Sequence, residues 1–229
     1  MDLVERLDRW VEVHDSFGSP LRSAMRPGLT DAQLRRGEQI LGFELLPDIR
    51  TFMSWATCGP DGITFLPSHY PASNWLQPNL ALQSSRSMPH VGDGGDKYPE
   101  WCRPSPRPLK MAVLFKGWTA FDHGEGPTRG GMWIWDMGGE GWMAPSFSHL
   151  IDVCLELAER DWLTADERGH LMLNDEAKAA AKVKEAEFYE QQPDHTEPID
   201  LEWHLETLRL DVYDNPQLVT PRRRDWIWD

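Results

Sequence analysis

The sequence is poor in cysteine, in positive charge and in long apolar runs, and each shortage excludes a class of protein. Its three cysteines, Cys58, Cys102 and Cys154, stand far apart and form no CxxC pair. They suggest neither a disulfide framework nor a zinc site, and read as buried or idle thiols. Lysine and arginine number 23 against 37 aspartates and glutamates, a formal charge of −14. That balance disfavours nucleic acid and anionic membrane as partners, and suits a basic protein partner or plain solubility. No apolar run approaches the roughly 18 to 20 residues that a bilayer span needs. The opening "MDLVERLDRW" has the charges and amphipathic spacing of a mature helix rather than a signal peptide, so a cytoplasmic location is expected.

The usual signatures of chemistry are also missing. The eight histidines (His14, His69, His90, His123, His149, His170, His195 and His204) show no HxxxH or HExxH pairing, so no metal is expected. "GDGGD" at 92–96 and "GEGPTRGG" at 124–131 follow neither GxxxxGK[ST] nor GxGxxG, and the second leads into a strand instead of a helix N-terminus. No GxSxG elbow is present, and Ser68 beside His69 is adjacency without triad geometry. "DHGEG", with Asp122, His123 and Glu125, holds groups suited to general acid and base work, but such loops occur often by chance. No cofactor and no enzymatic activity are expected.

What the sequence does have is tryptophan and helix punctuation. There are 12 Trp, and Trp118, Trp133, Trp135 and Trp142 share one glycine-rich stretch, as core or rim anchors of a sheet. Leu3, Leu7, Trp10, Val11 and His14 fall on one face of a first amphipathic helix. A loop with Gly18, Pro20, Pro27 and Gly28 leads to Thr30, an N-cap for a second helix ending near Leu41. Gly42 supplies the left-handed position that stops it, and Pro47 opens a third helix with Ile49, Phe52, Met53 and Ala56 at i, i+3, i+4 and i+7. Gly59, Pro60 and Gly62 end that helix, and "ITFLPS" reads as the first strand.

Residues 67–108 are dense in Pro, Ser, Gly and Asn and read as an irregular insertion with one short helix or strand. "KMAVLFKGWTAF" and "GGMWIWDM" are two β-rich runs around a hairpin loop, and "GGEGWMAPS" adds an edge piece. Ser146 or Ser148 caps a helix to about Arg160 with Phe147, Leu150, Ile151, Cys154, Leu155 and Ala158 buried. Beyond it, "NDEAKAAAKVKEAEFYEQQ" is rich in helix formers. From Glu156 to Arg209 there are 15 acidic residues against 6 basic ones. "PIDLEWHLETLRLDVYD" reads as a strand or short helix. "PRRRDWIWD" sets a basic triplet beside aromatics, as a solvated tail or a docking peptide.

The order of "LGFELLPDIRTFMSWATCGPDG", a late "WIWDMGGEGW" and "PSFSHLIDVCLELAER" resembles the SUKH superfamily, which contains fungal cell-wall-synthesis regulators of the Smi/Knr type and bacterial toxin-immunity proteins. The likeness lies in Leu41 and Gly42, Leu46 and Pro47, Gly59 or Gly62, Asp136, and Ser146 with Phe147, over roughly residues 30–160. Departures are the "ATCGPDG" after the third helix and the long insertion. The resemblance implies an α+β fold with a mostly antiparallel sheet of about four to six strands flanked by helices. Residues 1–160 would form this domain, and 161–229 an acidic, partly helical extension. It further implies a binding module, an immunity protein that neutralises a basic, nuclease-like toxin, itself a monomer or weak homodimer. The acids near the hairpin loop and sheet edge, Asp122, Glu125, Asp136 and Glu140, with Trp142 as anchor, are the expected partner contacts. Two alternatives stay open: a housekeeping regulator or scaffold of the same fold, and an enzyme whose site is assembled from distant residues.

Overall fold

The computed structural model describes residues 1–59, 63–67, 74–87, 111–115, 119–124, 129–136, 139–144, 146–180 and 183. Gly62, Cys102, Trp118, Glu125 and the segments "PIDLEWHLETLRLDVYD" and "PRRRDWIWD" lie outside the described residues.

The first helix, α1 (Leu3–Ser16), starts at a capping box: the Asp2 carboxylate accepts from the Glu5 N–H while the Glu5 carboxylate accepts from the Asp2 N–H. Its stripe of Leu3, Leu7, Trp10, Val11 and His14 is fully buried, as its spacing predicts. The stretch read as a loop holds two short elements, the single-turn α2 (Leu21–Ala24) and the strand β1 (Met25–Pro27). Thr30 caps α3 (Asp31–Leu41) in a second box with Gln33, and Gly42 at φ 78° closes it in the left-handed conformation. Pro47 is the first residue of α4 (Pro47–Trp55).

The apolar stripe of α4 is shorter than its spacing predicts. Ile49 and Phe52 are buried on the helix, but Ala56 begins the strand β2 (Ala56–Cys58), which pairs antiparallel with β1. Ala56 is buried as a strand residue, because an apolar residue suits either period at an element boundary. Gly59 follows β2 directly, so it ends a strand rather than the helix.

The larger sheet has the order β3-β4-β5-β6-β7-β8, all antiparallel: Ile63–Thr64, Asn74–Trp75, Met111–Phe115, Thr119–Asp122, Met132–Asp136 and Gly139–Ala144. "ITFLPS" therefore holds the third strand, not the first, and "KMAVLFKGWTAF" divides into β5 and β6. The insertion contributes both a strand, β4, and a helix, α5 (Pro78–Ser87). Ser146 caps α6 (Phe147–Glu159) by accepting from the His149 N–H, and Ser148 turns elsewhere. Helices with antiparallel sheets make this an α+β protein.

One apolar core joins these layers. Phe52 stands at its centre, with the rings of Phe147 at 4.6 Å, Trp75 at 4.7 Å and Phe65 at 5.3 Å between centroids. The α6 helix is buried on more than one face, since Val153 and Leu157 join the predicted Phe147, Leu150, Ile151, Cys154 and Leu155. Arg6 holds Asp152 through Nη1 at 2.8 and 2.9 Å, tying α1 to α6. After α6, the hairpin of β9 (Leu163–Ala165) and β10 (Leu171–Leu173) and a helical stretch at 175–180, capped by Asn174, add Leu163, Leu171, Leu173 and Ala177 to the same core.

Candidate partner-binding surface

The acids and Trp expected to meet a partner lie on or beside β6, β7 and β8. β6 and β7 form because the β-prone runs "TAF" and "MWIW" flank a glycine-rich stretch, and "EGWMA" supplies β8. The turn closes at its base by Asp122 N–H to the Gly131 carbonyl at 2.9 Å and Gly130 N–H to the Asp122 carbonyl at 2.7 Å.

Asp122 is not an exposed contact. It is buried, and its Oδ1 accepts from the Gly124 N–H at 2.7 Å, so the carboxylate fastens the start of the hairpin loop. An Asp at a turn commonly folds back on the backbone two residues on, which removes it from solvent. His123 beside it is buried as well. Its Nδ1 lies 2.9 Å from the Phe121 carbonyl, its Nε2 has no hydrogen-bond partner among the described residues, and its ring packs on Phe43 at 5.1 Å. Burial lowers the His123 pKa to about 4, so the imidazole is neutral near pH 7. The Arg129 guanidinium donates to the carbonyls of His123 and Gly124 and holds the far side of the loop. In "DHGEG", then, Asp122 and His123 are buried groups of the turn, and Glu125 lies outside the described residues.

The ladder between β7 and β8 sorts the remaining three positions. Trp133 is opposite Trp142, Trp135 opposite Glu140, Ile134 opposite Gly141 and Asp136 opposite Gly139, with a register shift that leaves Met143 unmatched. Successive strand positions alternate faces. Positions 133, 135, 140 and 142 therefore share one face, and 134, 136, 139 and 141 the other. The sheet brings Glu140 and Trp142 together, alongside two more tryptophan positions, and sets Asp136 on the opposite face. Sequence reasoning missed this grouping of three Trp and one Glu, although the signal was there: "WIW" and "EGW" are both period-2 patterns facing each other across a "DMGGE" turn. The strand β8 ends the sheet order, so this face lies at a sheet edge.

Other charged groups are committed to structure. Arg50 links Glu38, at 2.7 Å, with Asp31 and so binds α4 to α3. The hydrogen bond that Arg50 donates to Glu38, then that to Asp31, raises the Arg50 pKa above its ordinary value. Asp48 accepts from the Ser148 hydroxyl at 2.6 Å and its N–H at 3.3 Å, joining the starts of α4 and α6. Asp166 accepts from the backbone N–H groups of His170 and Arg168, which hold its pKa down. Cys58 and Cys154 are buried, and burial pushes the Cys58 thiol up to about 11 and Cys154 higher still. Among the described residues no group of three or more His, Cys, Asp or Glu is placed to hold a metal ion. Among them also, no helix is long and apolar enough to cross a membrane.

The chain matches no protein-family model and no curated protein.

Proposed function

We propose that this chain is a non-enzymatic protein-binding module of SUKH type, an immunity protein that binds and neutralises a basic, nuclease-like toxin domain in the cytoplasm. The observation that carries the reading is the placement of the residues that bear the resemblance. Gly42 ends α3 in the left-handed conformation, Pro47 opens α4, and Ser146 caps α6 with Phe147 buried at its first position. Helix junctions of this kind and order are what the resemblance leads one to expect, and they support the reading. The charge of −14 supplies a long-range attraction for a basic partner, which raises the association rate. Large apolar residues at the contact would slow dissociation, and the face of β7 and β8 carrying Trp133, Trp135, Glu140 and Trp142 is the surface assigned to this role.

The test is purification of the tagged protein from its native host at low salt, with mass spectrometry of what accompanies it. The expected result is one dominant basic toxin domain, inactive while bound and released by high salt, because exposed charges more than about 10 Å apart are largely screened at 0.1 M ionic strength. A set of unrelated cellular proteins, or no partner at all, overturns the immunity reading.

A further inference from the structure

A cavity of about 230 Å3 opens between α3, α5 and β5. Its walls are mostly aliphatic, with Leu34 and Leu41 from α3, Leu82 from α5, Val113 and Leu114 from β5, and Met53 from α4, while Asn79 and Ser85 of α5 add polar groups. Along α3 the positions Gln33, Arg36, Gly37 and Ile40 follow i, i+3, i+4 and i+7, so one helix face borders the cavity.

Two features of that face are not required by the packing of the fold, and a third residue, a cap of α3, has donors to spare. Gly37 sits inside α3, where glycine costs about 1 kcal/mol relative to alanine. Its φ is not positive, and a Cβ there would meet nothing within 4 Å. No neighbour needs its bareness, and a side chain there would project into the open space that Gly37 lines. Arg36 is the second. Its neighbours Arg35 and Arg50 are paired with Asp31 and Glu38, whereas Arg36 lines the cavity with no acidic partner among the described residues. The third is Gln33, whose Oε1 accepts from the Thr30 N–H and hydroxyl, leaving its amide NH2 free to donate at the same wall.

We propose that this cavity binds a medium-chain aliphatic carboxylic acid. The alkyl chain lies over Gly37 between α3 and α5, and the carboxylate meets the Arg36 guanidinium and the Gln33 amide. Mostly aliphatic walls, with no aromatic ring among the described residues, favour a flexible chain over a planar ligand, and a planar fork of N–H donors favours a carboxylate head. The assignment is independent of the toxin-binding reading and uses a different part of the surface.

The full-length protein is titrated calorimetrically with decanoate below its micellar concentration, with decanol and decyltrimethylammonium as the neutral and cationic counterparts. Decanoate is expected to bind one saturable site, at least about tenfold tighter than decanol, because only its head group accepts charge-assisted hydrogen bonds from Arg36. Arg36→Gln is expected to bring decanoate to the level of decanol and leave decanol unchanged. Gly37→Leu is expected to fill the space, remove binding of both and raise the melting temperature of the ligand-free protein. If Gly37→Leu does not give a folded circular dichroism spectrum, Gly37→Ala replaces it, with weakened binding expected. No saturable decanoate binding, equal binding of decyltrimethylammonium, or wild-type affinity in Arg36→Gln overturns the proposal. So does a Gly37→Leu protein that loses only a protein partner, which would assign the cavity to a protein interface and leave the toxin-binding reading standing.

Discussion

His14 and His123 are buried imidazoles, and the two share one consequence. The Nε2 of His14 lies 3.1 Å from the Phe65 carbonyl, an acceptor only, so that nitrogen carries the proton and Nδ1 accepts from the Ser19 hydroxyl at 2.9 Å. The neutral ring satisfies both partners. Burial lowers both pKa values from 6.5 to about 4. The unfolded chain therefore binds more protons than the folded one between those limits. Stability is full above about pH 6.5 and is lost as pH falls toward 4, at up to about 1.4 kcal/mol per pH unit for each ring. Urea unfolding at pH 7.5, 6.5 and 5 should show little change across the first interval and a loss of about 3 kcal/mol across the second. His123→Gln should roughly halve that slope; an unchanged slope would mean that carboxylates set it. Two glycines make a second residue-scale comparison. A Cβ on Gly28 would lie 1.8 Å from the Ser54 carbonyl oxygen, so Gly28→Ala forces backbone apart where Leu29 N–H bonds the Met53 carbonyl. A Cβ on Gly42 meets nothing within 4 Å and costs only the left-handed backbone, about 1–2 kcal/mol. Thermal melts should place Gly28→Ala well below Gly42→Ala.

Among the elements, α4 and α6 are joined at their N-termini by one carboxylate, Asp48, which lies in the first turn of α4 and holds Ser148 at the start of α6. Asp48→Ala is expected to cost about 1–3 kcal/mol, since it removes a charge-assisted bond and a favourable charge at a helix start. Ser148→Ala should cost about 1 kcal/mol, and the double variant should lose less than the sum. Additive losses in chemical denaturation would show that the two residues act separately. Helix ends such as these were legible because capping is local: Thr30, Gly42, Pro47 and Ser146 do their work within three or four residues of where they stand. The pairing of β1 with β2 was not, because Met25 meets Cys58 across 33 positions of chain and neither strand is long enough to display an alternation. Ala56 was misplaced on the helix for the same reason. Asp122 read as an exposed acid because its burial depends on the hairpin folding back over it, which composition does not record. The grouping of positions 133, 135, 140 and 142 needed the register of β7 against β8, and a shift by one residue would have dispersed it.

For the whole molecule, the acidity and the core are distributed differently along the chain. Much of the negative charge lies after Glu156, in the stretch where 15 acidic residues face 6 basic ones. Yet the beginning of that same stretch is structural: Leu163, Leu171, Leu173 and Ala177 belong to the core that α1, α4 and α6 build. Residues 163–177 therefore pack on the same core as the elements before Arg160. Burial there is deep enough to matter against a total stability of about 5–15 kcal/mol. Leu171, with no exposed surface, is expected to cost about 2–5 kcal/mol on truncation to alanine. Val183, 57% exposed, serves as the control and should change stability by no more than about 0.5 kcal/mol on the same substitution. The turn between β9 and β10 also meets the segment that follows α1, where Gly169 approaches Gly18 and Ser19, so loss of the hairpin should reach the end of the N-terminal helix as well. Hydrogen exchange checks this directly. In Leu171→Ala, amides of α1 should exchange faster along with those of β9 and β10. Faster exchange confined to the hairpin would show instead that residues 161–177 open as a separate unit, and that the acidic stretch is independent of the core from its first residue.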